Sequence, residues 1–129
     1  SFVMRAIGRL PEDQAVRAMQ AINEAAISPA FLAVLLGTGP LLAGLAALRS
    51  LSGAPSGAYW AATALYMVGV VGVTIAGNVP LNEALARLNA ADVTPGAWLD
   101  YATPWLRYNH ARTLAAAVTA GLMVWLSAS

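Results

Sequence analysis

Apolar and polar residues alternate along this chain in long blocks rather than in single steps. A run without ionisable side chains lies between Glu24 and Arg49 and centres on PAFLAVLLGTGPLLAGLAAL. About 20 apolar residues, each rising about 1.5 Å, are enough to cross roughly 30 Å of hydrocarbon. A second such run lies between Arg49 and Glu83 and contains YWAATALYMVGVVGVTIAGN, with Tyr59 and Trp60 at one end, where amphipathic aromatics favour a membrane interface. The third, residues 113–129, is short by that yardstick and reaches full length only if its helix begins near Pro104 and Trp105. The pattern therefore predicts spans at residues 29–49, 58–78 and 104–127.

The intervening polar segments predict shorter elements. Residues 11–27 read as an amphipathic interfacial helix: Pro11 suits a first turn, Glu12 and Asp13 suit the positive end of the dipole, and Ala15, Met19, Ile22 and Ala26 recur at helical spacing. Pro29 starts the first span, and GTGP at 37–40 is expected to kink it, because Pro40 cannot donate a hydrogen bond. Gly69, Gly72 and Ala76 are small enough to let helix backbones approach closely. In NVPLNEALARLNAADVTPGAWLDYAT we expect a short helix over about 80–88, a turn at Thr94-Pro95-Gly96 and a short helix bearing Trp98 and Tyr101. Thr103 as cap and Pro104 with its preset φ then open the last helix. The opening SFVMRAIGRLP reads as the exit of a helix whose membrane part precedes Ser1. The expected fold is an all-α transmembrane helical bundle in one domain, with three spans in this sequence, four in the complete protein, and one interfacial helix.

Composition supports a bilayer as the main partner. Of 129 residues, 59% are hydrophobic and 10% charged, too apolar for an ordinary soluble domain. Every basic residue is an arginine, and they form no dense stripe, so nucleic acid is not an expected partner. The threading places Arg5, Arg9, Arg17, Arg87, Arg107 and Arg112 on one side and Arg49 alone on the other, which assigns the polar side to the cytoplasm. With no cysteine and one histidine, disulfides, thiolate sites and zinc with its usual ligand count are excluded. A haem held by His110 alone has no specific support, and GTGP lacks the lysine of a phosphate loop. No metal and no cofactor are expected.

Polar side chains gather at the one membrane side. Trp105, Asn109 and Arg112 share a helix face at i, i+4 and i+7, and Leu106, His110 and Thr113 occupy the adjacent face. Asn78 and Asn82 are four apart around Pro80, and Gln20 and Asn23 are three apart beside Met19. Singly, each fits an anchoring role, because arginines snorkel, aromatics form interfacial belts and amides tie helices together. Together they suggest a site, since an unpaired amide is costly at membrane depth. The chemistry open to them is acid–base and hydrogen-bond work on an apolar molecule. His110 would remove a proton, and Arg112 with Asn109 or Asn78 would stabilise an anion developing on oxygen.

Three segments, MQAIN at 19–23, NVPLN at 78–82 and WLRYNHART at 105–113, resemble the signature segments of the anthrone oxygenase-like family. These are small four-helix integral membrane proteins, most of them bacterial, and the resemblance runs in order over essentially the whole chain. Fungal members oxidise an anthrone methylene to the anthraquinone carbonyl with molecular oxygen and no evident metal or flavin. The resemblance implies a cofactor-independent oxygenase for a lipophilic aromatic, anthrone-type substrate; the expected location is the bacterial inner membrane, with the motif side turned to the cytoplasm by the arginine count. It singles out Asn78, Pro80, Asn82, Trp105, Asn109, His110, Arg112 and Thr113, together with Gln20 and Asn23. On that reading His110, Arg112 and Asn109 are catalytic. Asn78, Asn82, Trp105, Gln20, Asn23 and Thr113 bind substrate, with Trp105 stacking on the flat rings. Tyr108 stands where the family is expected to have Trp. The alternative is a non-catalytic membrane binding or scaffold protein, and so small a bundle is compatible with a homo-oligomer.

Overall fold

The computed structural model describes residues 1–128, which are helical with no strand among them. A short helix α1, Phe2–Ile7, leads into α2, Glu12–Ala26, whose first turn carries Glu12 and Asp13 at the positive end of its dipole. Ser28 ends the break that follows, its hydroxyl accepting from Phe31 N at 3.2 Å, and Pro29 opens α3, Pro29–Leu51. α3 continues as helix through Pro40. A turn containing Gly53 at φ 76°, which glycine adopts without a Cβ clash, then reverses the chain. Ser50 ties this end together, donating to Ser56 Oγ at 2.8 Å and accepting from Trp60 Nε1 at 3.1 Å.

The next helix, α4, runs Gly57–Ala86 without interruption. The second span and the short helix expected after it are therefore one element: Pro80 falls two residues past a helical Asn78, and the helix absorbs it. Over Met67–Gly72 and Thr74–Asn78 the backbone of α4 widens to π-helical spacing. Thr74 Oγ1 there donates to Val70 O at 2.6 Å. A single 3₁₀ turn, Ala90–Asp92, and Gly96 at φ 87° lead into α5, Ala97–Ser127. α5 corrects a second expectation: Pro104 lies inside it instead of starting it. The start is at Gly96, whose N–H donates to Glu12 Oε1 at 2.9 Å and pins the turn to α2.

α4 occupies the middle, packed along α3 on one side and α5 on the other. Its fit to α5 depends on glycine. A Cβ on Gly69 would stand 2.5 Å from Ala115 Cβ, and one on Gly77 would stand 2.6 Å from the Tyr108 ring. One apolar cluster, Leu42, Tyr66, Val70, Val71 and Ala115, joins α3, α4 and α5. A second, built on Val16, Met19, Leu85, Trp98 and Tyr101, joins α1 and α2 to the ends of α4 and α5. α3 and α4 are each long and apolar enough to cross a membrane.

Candidate functional site

Between the two clusters α2, the start of α3, α4 and α5 enclose a groove of about 750 Å³, within the range that takes a drug-sized ligand. Met19, Ile22, Phe31, Leu32 and Leu35 give it apolar walls. Its polar lining comes from three helices. α2 contributes Gln20 and Asn23, α4 contributes Thr74, Asn78 and Asn82, and α5 contributes Trp105, Asn109 and Arg112. A smaller cleft of about 360 Å³ under α1 gathers Arg5 and Glu12 but no amide.

The seam between α4 and α5 holds the most buried polar groups. Arg112 Nη1 donates to Thr74 Oγ1 at 3.1 Å and Nη2 to Asn109 Oδ1 at 2.7 Å. Asn78, 2% exposed, donates from Nδ2 to Trp105 O at 3.3 Å. Among the described residues, two buried atoms here lack a partner, Asn78 Oδ1 and Arg112 Nε. An acceptor and a donor, both dry and both unsatisfied, mark a place where a ligand can supply the missing bonds.

A second knot sits one turn away. Asn82 Oδ1 accepts from Tyr101 Oη at 2.7 Å and from Trp105 Nε1 at 3.1 Å. Two donors on one carbonyl fix the amide and hold the Trp105 ring in the groove wall. Tyr101 extends this aromatic face, 6.5 Å from Trp105 and 5.8 Å from Trp98 between ring centroids. Burial pushes its hydroxyl up to about 12, opposed by a hydrogen bond from Asn23, so it stays a donor through the neutral range. Gln20 serves the fold as well as the groove: Nε2 donates to Leu85 O at 2.9 Å and Leu88 O at 3.0 Å, capping the end of α4.

Three of the residues singled out from sequence lie elsewhere. Pro80, His110 and Thr113 are exposed and do not line the groove. The reason is helical phase: the groove takes the face of Trp105, Asn109 and Arg112, and His110 lies about 100° from Asn109 around a helix of 3.6 residues per turn. His110 is therefore not placed to act as a base on a ligand in this groove. Sequence reading also missed residues that do line it or hold it. Thr74 could have been reached by extending Asn78 and Asn82 back one turn, and Tyr101 by the Trp98, Tyr101, Trp105 spacing. Glu24 and Glu83, which also line the groove, carried no such signal. Among the described residues no group of three or more His, Cys, Asp or Glu side chains could hold a metal ion.

Fold and groove together define an all-helical, membrane-associated protein with an amide- and arginine-lined groove. The chain belongs to the anthrone oxygenase family, whose model matches residues 17–122, a range that includes the groove residues from Met19 to Arg112. No curated protein and no solved structure matches the chain.

Proposed function

We propose that this protein is an oxygenase for a lipophilic aromatic substrate of the anthrone type, which it binds in the groove between α2, α3, α4 and α5 without a resident cofactor. The observation that carries this reading is that Asn78 Oδ1 and Arg112 Nε are buried and unsatisfied on residues that line a groove with apolar walls. A flat polycyclic ring fits the apolar walls and the Trp105 face. Its oxygen substituents meet the polar pair. Loss of a proton from the ring methylene spreads negative charge onto the substrate oxygen, where Arg112 favours it most. Glu24 and Glu83, the carboxylates lining the groove, take that proton in place of His110. The electron-rich anion then forms a carbon–oxygen bond with dioxygen. Loss of one water from the resulting peroxide leaves a carbonyl, so the methylene and one O₂ become C=O and H₂O. The substrate supplies the electrons.

The protein sits as a multi-pass protein in a bacterial inner membrane with the groove near the cytoplasmic face, a reading supported by six arginines at that end against Arg49 at the other. Substrate conversion is tested with purified protein in detergent, a simple anthrone and ¹⁸O₂. Anthraquinone carrying one labelled oxygen, formed well above a protein-free blank, is the expected result. Turnover equal to the blank would reject the oxygenase and leave a binding protein.

A further inference from the structure

The two unpartnered atoms in the groove are of opposite kind. Asn78 Oδ1 is an acceptor, because the amide's donor is already used on Trp105 O. Arg112 Nε is a donor, because both terminal nitrogens are engaged by Thr74 and Asn109. A carboxylate or phosphate would satisfy the arginine but would face the Asn78 oxygen with no proton to give. A phenolic hydroxyl satisfies both, since its O–H donates while its oxygen accepts.

Another part of the groove lining is of different character. It is formed by Ile27, Phe31 and Leu32, which are also exposed on the outer surface, at 71%, 46% and 38%. Phe31 and Leu32 belong to α3, a helix apolar and long enough to cross a membrane, so this side opens toward hydrocarbon rather than water. The groove lining thus holds both a buried donor and acceptor and apolar side chains that reach the outer surface.

From these two features we infer that the groove takes a phenol bearing a hydrocarbon chain, in chemical class a membrane-dissolved hydroquinone. It passes sideways out of the lipid, its ring hydroxyl lodging between Asn78 and Arg112 and its chain lying along Leu35, Leu32 and Phe31. The inference shares the groove with the proposed function but requires no oxygenation, and such a molecule competes with an anthrone for the same place.

The test is equilibrium binding to the purified protein in nanodiscs of zwitterionic lipid, under argon, read by tryptophan quenching and corrected for probe partitioning. The probes are dodecyl hydroquinone, its dimethyl ether and hydroquinone without a chain. The chain-bearing hydroquinone should bind at least about tenfold more tightly than its ether, the factor a buried acceptor left without its donor produces, and more tightly than the chainless ring. Asn78→Leu should erase the preference over the ether. Leu32→Trp, which fills the side opening without touching the polar pair, should weaken the chain-bearing probe by a similar factor and so decides the matter if the first variant does not fold. Equal binding of hydroquinone and ether by the wild-type protein, or unchanged binding in Leu32→Trp, overturns the inference. Anthrone turnover without hydroquinone binding would sink this inference and leave the oxygenase standing. Hydroquinone binding without turnover would do the reverse.

Discussion

Replacing Gly69 by Ala puts a methyl group into the tightest part of the α4–α5 seam. The new Cβ would stand 2.5 Å from Ala115 Cβ and 3.9 Å from Ala115 Cα. Carbon atoms rest at about 3.5–4.0 Å, so the helices must part by about 1 Å. Neither partner has a rotatable side chain that could turn away. Overpacking of this kind costs about 1–3 kcal/mol, and the better helix propensity of Ala over Gly returns at most about 1 kcal/mol. The expected net loss is therefore about 1–2 kcal/mol. The separation also reaches the site, because Ala115 lies three residues from Arg112 and the Arg112 Nη1 to Thr74 Oγ1 bond is already 3.1 Å. An added ångström takes that bond beyond useful length. Reversible unfolding in mixed detergent micelles, followed by circular dichroism, measures the first effect, and anthrone-dependent oxygen uptake measures the second. The double variant Gly69→Ala with Ala115→Gly moves the methyl across the seam and should recover at least about 1 kcal/mol relative to the sum of the single variants. Additive losses in the double variant would refute the idea that this contact sets the helix spacing.

Other residues give separate outcomes. Gln20→Ala frees two carbonyls at the end of α4 and should destabilise the protein by about 1–2 kcal/mol, measured by the same unfolding assay. Tyr101 is held protonated up to about 12, above its ordinary value of 10.0, so the folded state binds more protons than the unfolded chain in that interval. Its contribution is fully present below pH 10 and is lost as the pH rises toward 12; unfolding curves over this window should slope less for Tyr101→Phe than for the wild type. Of the two groove carboxylates, Glu83→Gln or Glu24→Gln should reduce oxygen uptake by about 10²–10⁴-fold at saturating anthrone, whichever of them takes the proton. Uptake unchanged in both variants would assign the proton to another acceptor.

Much of the architecture could be read from residue order because membrane-type helices declare themselves by unbroken apolar runs. α3 is such a run, capped by Ser28 and Pro29 and closed near Arg49. Boundaries set by tertiary contacts could not be read in this way. Pro104 has the features of a helix start, yet α5 begins seven residues earlier, just after the turn where Gly96 bonds to Glu12. That bond joins residues 84 apart in the chain. The π-helical stretches of α4, which contain Gly69 and Gly77 at the α5 seam, are equally invisible in composition.

The polar lining of the groove was legible as a set but not in its phase. Asn78, Asn82, Trp105, Asn109, Arg112, Gln20 and Asn23 do converge on one groove. The choice of His110 came from chemistry, as the residue best suited to remove a proton near neutral pH. Yet α5 is polar nearly all round over this region, and only packing against Gly77 and Thr74 decides which face turns inward. His110 lies on the neighbouring face.

Oxygen uptake with a simple anthrone, compared among wild type, Asn78→Leu, Arg112→Lys and His110→Ala, tests the placement of the site most directly. With all four folded by circular dichroism, Arg112→Lys should fall by about 10²–10³-fold, the loss typical of removing one group that stabilises a developing oxyanion, and Asn78→Leu, which deletes the buried acceptor and the Nδ2 bond to Trp105 O, should fall by about tenfold. His110→Ala should stay within about twofold of wild type, as expected for a side chain that touches neither substrate nor the groups holding it. Uptake abolished by His110→Ala and retained by Asn78→Leu would contradict the site and return the chemistry to the outer face of α5.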